Sequence, residues 1–186
     1  MLCLKPHSVI FASEHKPNSM KHYMNWGAIL GLSLIVFSII LFLLGKSESV
    51  LTSISHLIIV GVLCLAIVKK KESNGGFLSY GEGVSVAAWV SIFAGVIMAF
   101  YTFIDLSFID ADKIQRILVQ VEDQMYNTST PDDQIEMVLG IYEKIFTPGI
   151  LAFFSLVAQI IEGLIVGLIA SAFLKKEDTS FEANFK

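Results

Sequence analysis

Pro148-Gly-Ile-Leu-Ala-Phe-Phe-Ser-Leu-Val-Ala-Gln-Ile-Ile-Glu-Gly-Leu-Ile-Val-Gly-Leu-Ile-Ala-Ser-Ala-Phe-Leu174 decides what kind of protein this is. A helix that crosses a bilayer needs roughly 20 predominantly apolar residues, and this stretch exceeds that. It carries one ionisable group, Glu162, close to its middle. Three other segments share its length and character, and none of them holds a carboxylate at that depth.

Composition agrees. Of 186 residues, 54% are hydrophobic and 16% charged, whereas soluble domains carry about 25% charged residues. The chain therefore belongs to the membrane class. Cys3 lies in a polar arm and Cys64 in an apolar segment, which gives no disulfide framework and no metal-ligand spacing.

The reading is an all-α polytopic membrane protein with four transmembrane helices in two antiparallel hairpins. The spans are 26–44, 50–68, 84–104 and 150–174, within a membrane domain at 23–176. Residues 1–22 read as a polar arm without fixed structure. Met20 is an alternative start that would leave residues 1–19 outside the native chain. Residues 177–186 form a polar tail. Trp26 and Tyr23 mark the first interface. Gly27 and Gly31 form a Gly-x-x-x-Gly pair, and the turn from Gly45 to Ser49 predicts antiparallel neighbours. Lys69, Lys70 and Lys71 are expected to end the second span. Phe77, Leu78 and Tyr80, after the turn at Asn74-Gly75-Gly76, are expected at headgroup level. Residues 105–147 hold nine acids and three bases. Ile114, Ile117, Leu118, Val121 and Met125 keep helical spacing. Thr130-Pro131-Asp132-Asp133 opens a second helix with Thr130 as its cap.

Four spans put both termini on one side. With the 69–83 loop, that side collects nine of the thirteen bases. Bases flanking helix ends face the cytoplasm, so both termini are expected inside and the acidic region outside.

Asn74-Gly75-Gly76-Phe77-Leu78-Ser79-Tyr80-Gly81-Glu82, Gln134-Ile135-Glu136-Met137, Phe146-Thr147-Pro148-Gly149 and Trp26-Gly27-Ala28-Ile29-Leu30-Gly31 together resemble the domain-of-unknown-function 4199 family of small bacterial four-span membrane proteins. The resemblance covers about residues 20–176. It implies location in a bacterial inner membrane and brings no activity, ligand or catalytic residue.

The candidate site starts from Glu162. Ser155, Gln159, Gly163, Gly167 and Ser171 recur every four residues on the same helix, and Ala87, Ser91, Gly95 and Ala99 do so on the third span. Small residues let membrane helices approach, and polar ones hydrogen-bond across the contact. The simplest role for Glu162 is helix packing. The functional alternative is a proton- or cation-binding carboxylate with Gln159 and His56, because intramembrane ionisable groups mark transport paths. His56 is six residues past Val50 and Glu162 twelve past Ile150. At 1.5 Å per residue this predicts a depth gap of about 9 Å and no direct pair. Glu82 is assigned to the helix dipole. Asp110-Ala111-Asp112 and Asp132-Asp133 read as solvated acidic faces, without the ligand order of a calcium loop.

Enzyme signatures, cofactor motifs and an exposed basic domain for nucleic acid are absent from the sequence. The leading expectation is a non-enzymatic membrane protein, structural or accessory. Its partners are the lipid bilayer and a second copy or another membrane protein, met through small-residue faces at Gly27, Gly31, Ala87, Ser91, Gly95, Ala99, Ser155, Gly163 and Gly167. The alternative is a small proton- or cation-coupled transporter using Glu162.

Overall fold

Helices form wherever the apolar periodicity runs. In the computed structural model, which describes residues 17–45 and 53–176, the chain is all-helical: α1 Pro17–Leu43, α2 Ile54–Ser73, α3 Tyr80–Ile104, α4 Lys113–Asn127, α5 Asp132–Ile145 and α6 Pro148–Leu174. A π-turn, Asp105–Ile109, extends α3. The expected tail at 177–186 and arm residues 1–16 lie outside the described residues, as do Cys3 and the expected start of the second span at Val50. Met20 to His22, assigned to the arm, instead belong to α1. His22 turns inward, with Nε2 3.1 Å from the Ala66 carbonyl of α2.

Among the described residues, three helices are long and apolar enough to cross a membrane: Met20–Leu43, Tyr80–Ile109 and Pro148–Leu174. Helix α2 differs. Its lysine-free part, residues 54–68, is about 22 Å long at 1.5 Å per residue, short of the roughly 30 Å hydrocarbon core. The lysine cluster does not end it. Lys69, Lys70 and Lys71 lie inside the helix, which runs on to Ser73. Cations in a last turn offset the carbonyl end of the helix dipole.

The most extensive helix contact joins α3 to α6, which run antiparallel. The two stripes of small residues meet each other. Gly163 lies against the Ser91 side chain, Gly167 against Ala87, and Gly83 against Ser171; a Cβ at any of these glycines would collide. Gly95 faces the Leu156 carbonyl and Gln159. Gly27 and Gly31 similarly seat α1 on Phe93 and Ile97 of α3. The small faces of α1, α3 and α6 are thus occupied within one chain. Two members of the stripes depart from this role. Ser155 faces a cavity, with its hydroxyl donating to the Ala152 carbonyl at 2.8 Å. Ala99 borders an apolar groove where α3 and α6 part toward Gly149.

The lysine end of the bundle is fastened by the 74–79 loop. Leu78 is buried, and its N–H and C=O pair with the C=O and N–H of Lys176 at 2.8 and 2.9 Å. Lys71 Nζ donates to the Leu174 carbonyl at 2.9 Å, and the Lys176 ammonium sits 5.6 Å from the Phe77 ring centre. Gly75 and Gly76 turn the loop with positive φ, a conformation that costs glycine little. Ser79 caps α3: its hydroxyl accepts from the Glu82 N–H, and the Glu82 carboxylate accepts from the Ser79 N–H. This reciprocal pair is a capping box, a more specific role for Glu82 than the expected dipole contact.

At the opposite, acidic end the π-turn carries Asp105 and Asp110 inward. Asp110 is buried, and both its oxygens accept from Arg116 Nη2, at 3.0 and 2.8 Å. It is not the solvated acid the sequence suggested, although Asp112 is exposed. Helices α4 and α5 pack on each other and bury Leu118 and Ile135. The cap residue of α5 is Pro131 rather than Thr130.

Gly163→Leu forces a side chain into Ser91, so it is expected to destabilise the protein by about 2 kcal/mol, as overpacking does. Gly61→Leu meets open space and serves as the control. Unfolding temperatures in detergent should separate the two, with only the first lowered.

Candidate functional site

The short α2 creates the site. His56 is the third residue of α2, and Glu162 the fifteenth of α6. Both helices run toward the lysine end, where Lys71 meets Leu174. Counting back from that fixed end, α2 starts level with about Val157, roughly two thirds of the way up α6. Among the described residues, the part of the bundle nearer the acidic end therefore has no fourth helix between α1 and α6. A cavity of about 310 Å3 fills this space.

Its floor is the start of α2, with Ser55, His56 and Ile59. One wall is α1, with Leu34, Phe37, Ser38 and Leu41; the other is α6, with Ser155, Ala158, Gln159 and Glu162. Met98 of α3 closes the back, and Lys113 of α4 reaches in from the acidic end. The three residues selected from sequence, Glu162, Gln159 and His56, line this one cavity. Lys113, Ser38 and Ser55 were not selected. Lys113 carried no signal because its cavity contact depends on the turn after α3 that sets it against Asp105.

His56 Nδ1 lies 2.6 Å from Glu162 Oε1. The expected 9 Å gap is overturned. That estimate started both helices at one level, whereas α2 begins at Ile54, partway along α6. A contact of this length holds a proton between its partners. Either the imidazole N–H donates to the carboxylate, or a carboxylic O–H donates to the imidazole nitrogen. The two side chains differ in exposure, 66% for His56 and 28% for Glu162. The pair is therefore reachable, with the carboxylate on its more sheltered side.

Two further features make the lining polar at chosen points. Gln159 is buried, at 7% exposure, and its amide nitrogen has no hydrogen-bond partner. Such an orphan donor costs about 1–3 kcal/mol in a folded protein, so a ligand acceptor would satisfy it. Lys113 Nζ is 3.3 Å from Asp105 Oδ2, which holds its charge at the acidic end of the cavity. Ser38 accepts from the Tyr101 hydroxyl at 3.0 Å, linking the α1 wall to α3. The arrangement can hold and exchange a proton or a cation at Glu162. Among the described residues, no group of three or more His, Cys, Asp or Glu side chains is placed to hold a metal ion.

Residues 25–176 match the model of a family described as a protein of unknown function (DUF4199), so the chain belongs to that family. No curated protein and no solved structure matches it.

Replacing Gln159 by Leu removes the orphan amide at nearly constant volume. The variant is expected to be more stable by about 1 kcal/mol, read as a raised unfolding temperature in detergent. A lowered temperature would show that the amide serves folding rather than binding.

Proposed function

We propose that the chain is a non-enzymatic multi-pass membrane protein that binds a proton or small cation at the Glu162–His56 pair and couples this binding to transport through the adjoining cavity. The observation that carries the reading is the 2.6 Å contact between these two ionisable groups on the floor and wall of a cavity within the bundle. Ionisable side chains at membrane depth are costly and mark ion or substrate paths. A lone acid could be explained as helix glue. An acid joined to an imidazole beside an unpartnered amide is better explained by ligand exchange.

The competing reading, a structural or accessory protein that assembles through small-residue faces, has less support. The stripes on α1, α3 and α6 are already filled by one another. A second copy or another membrane protein would have to dock on a different face.

The proposed setting is a bacterial inner membrane, with both termini and the lysine end in the cytoplasm. The distribution of bases supports this orientation. In it, α2 counts as a fourth, shorter membrane helix entering from the cytoplasmic side, and the cavity lies toward the outer leaflet.

Purified protein in liposomes should support a proton-dependent flux that Glu162→Gln abolishes and His56→Ala reduces at least tenfold. Flux that survives Glu162→Gln would sink the transport reading. In intact cells, Met125→Cys is expected to react with an impermeant thiol reagent; protection from it would reverse the orientation.

A further inference from the structure

A second concavity shares residues with the cavity. A shallow groove on the outside of α6 is lined by Ile161, Ile165 and Val166, and by His56, Ala158 and Glu162, which also border the cavity. The ionisable pair thus stands in a window between the interior and the apolar flank of the bundle. The exposed imidazole of His56 looks out through it. Helices α1 and α6 pack chiefly on α3 and α2, and among the described residues only the first turn of α2, with His56, borders the window.

We propose that the ligand of this site is an amphiphilic cation, an ammonium head on an apolar chain, which reaches Glu162 sideways from the lipid. The proposal rests on the proton- or cation-binding reading above and adds the ligand class and the route.

Charge selects the head. Among the described residues, Glu162 is the carboxylate on the lining, and Lys113, the other Lys, Arg, Asp or Glu there, is already paired with Asp105. No titratable side chain of α1 or α3 lines the cavity. An anion passing the exposed His56 imidazole would face the more sheltered Glu162 carboxylate behind it and be repelled. An ammonium would displace His56 from Glu162 and take over its hydrogen bond. The Gln159 amide nitrogen, buried and unpartnered within one turn of Glu162, offers a donor for an acceptor beside the ammonium, such as a hydroxyl.

Apolar surface selects the body. Leu34, Phe37, Leu41 and Met98 line the same space, and aromatic rings such as that of Phe37 attract cations. At about 30 Å3 per non-hydrogen atom, a cavity of 310 Å3 holds roughly ten such atoms. The head and a short length of chain fit inside, and the rest of the chain lies in the groove and the surrounding lipid.

The test uses the full chain in phosphatidylcholine nanodiscs, with uptake by protein-free nanodiscs subtracted. Isotope-labelled dodecylamine is expected to bind saturably at one site, and Glu162→Gln to weaken it at least tenfold. Ala158→Phe, which fills the window, should weaken it at least fivefold with the helical circular dichroism unchanged. 2-Aminododecan-1-ol should bind more tightly than dodecylamine, and Gln159→Leu should erase that difference. Dodecanoate binding as tightly as dodecylamine, or amine binding unaffected by Glu162→Gln, overturns the proposal. Tetramethylammonium binding as well as the long-chain amine overturns the apolar route. Glu162-dependent proton flux without amine binding removes only the ligand class. Amine binding without flux keeps the site and removes transport. Loss of both removes both.

Discussion

The bundle depends on one contact, the interlocked small residues of α3 and α6. In hydrocarbon there is no hydrophobic gain from burying leucine against leucine, so helices hold together by close packing and polar contacts. Gly163 under Ser91, Gly167 under Ala87 and Gly83 under Ser171 bring the two backbones as near as side chains permit. This register also sets the rest. It turns Gln159 and Glu162 toward the space beside α3, and leaves α1 to lean on the other flank through Gly27 and Gly31.

A second constraint is the length of α2. Its lysine end is fixed by Lys71, by the buried Leu78 and by the pairing of Leu78 with Lys176. Its apolar run is then too short to reach the acidic end. A full-length fourth helix would have filled the cavity with side chains. The shorter helix leaves a polar-edged space and puts His56 at the level of Glu162. The acid and the imidazole are partners because a helix ends where it does.

Much of this was legible in the sequence. The six helices follow from periodicity and from cap residues such as Pro148, and Glu162, Gln159 and His56 stood out as polar groups in apolar runs. What one chain of letters does not carry is which face meets which. The stripes on α3 and α6 were visible, but that they satisfy each other rather than a second molecule depends on tertiary register. The His56–Glu162 pair was missed because depth was counted from apparent span ends, whereas α2 begins at Ile54. The burial of Asp110 was missed because the π-turn that carries it inward has no simple sequence signature. The capping box at Ser79 and Glu82 was there to be read, since Ser-x-x-Glu before an apolar run is its usual pattern.

The short helix has a mechanical consequence for the membrane itself. Over the described residues, the lysine end of the bundle has four helices in cross-section and the acidic end three. A helix with its side chains is about 10 Å across, so in the proposed membrane setting the described helices would take unequal areas from the two leaflets. That difference gives the described bundle the taper of a wedge. A wedge is sensitive to the lateral pressure of each leaflet and to curvature, and anything that filled or emptied the space above α2 would change the angle of that wedge.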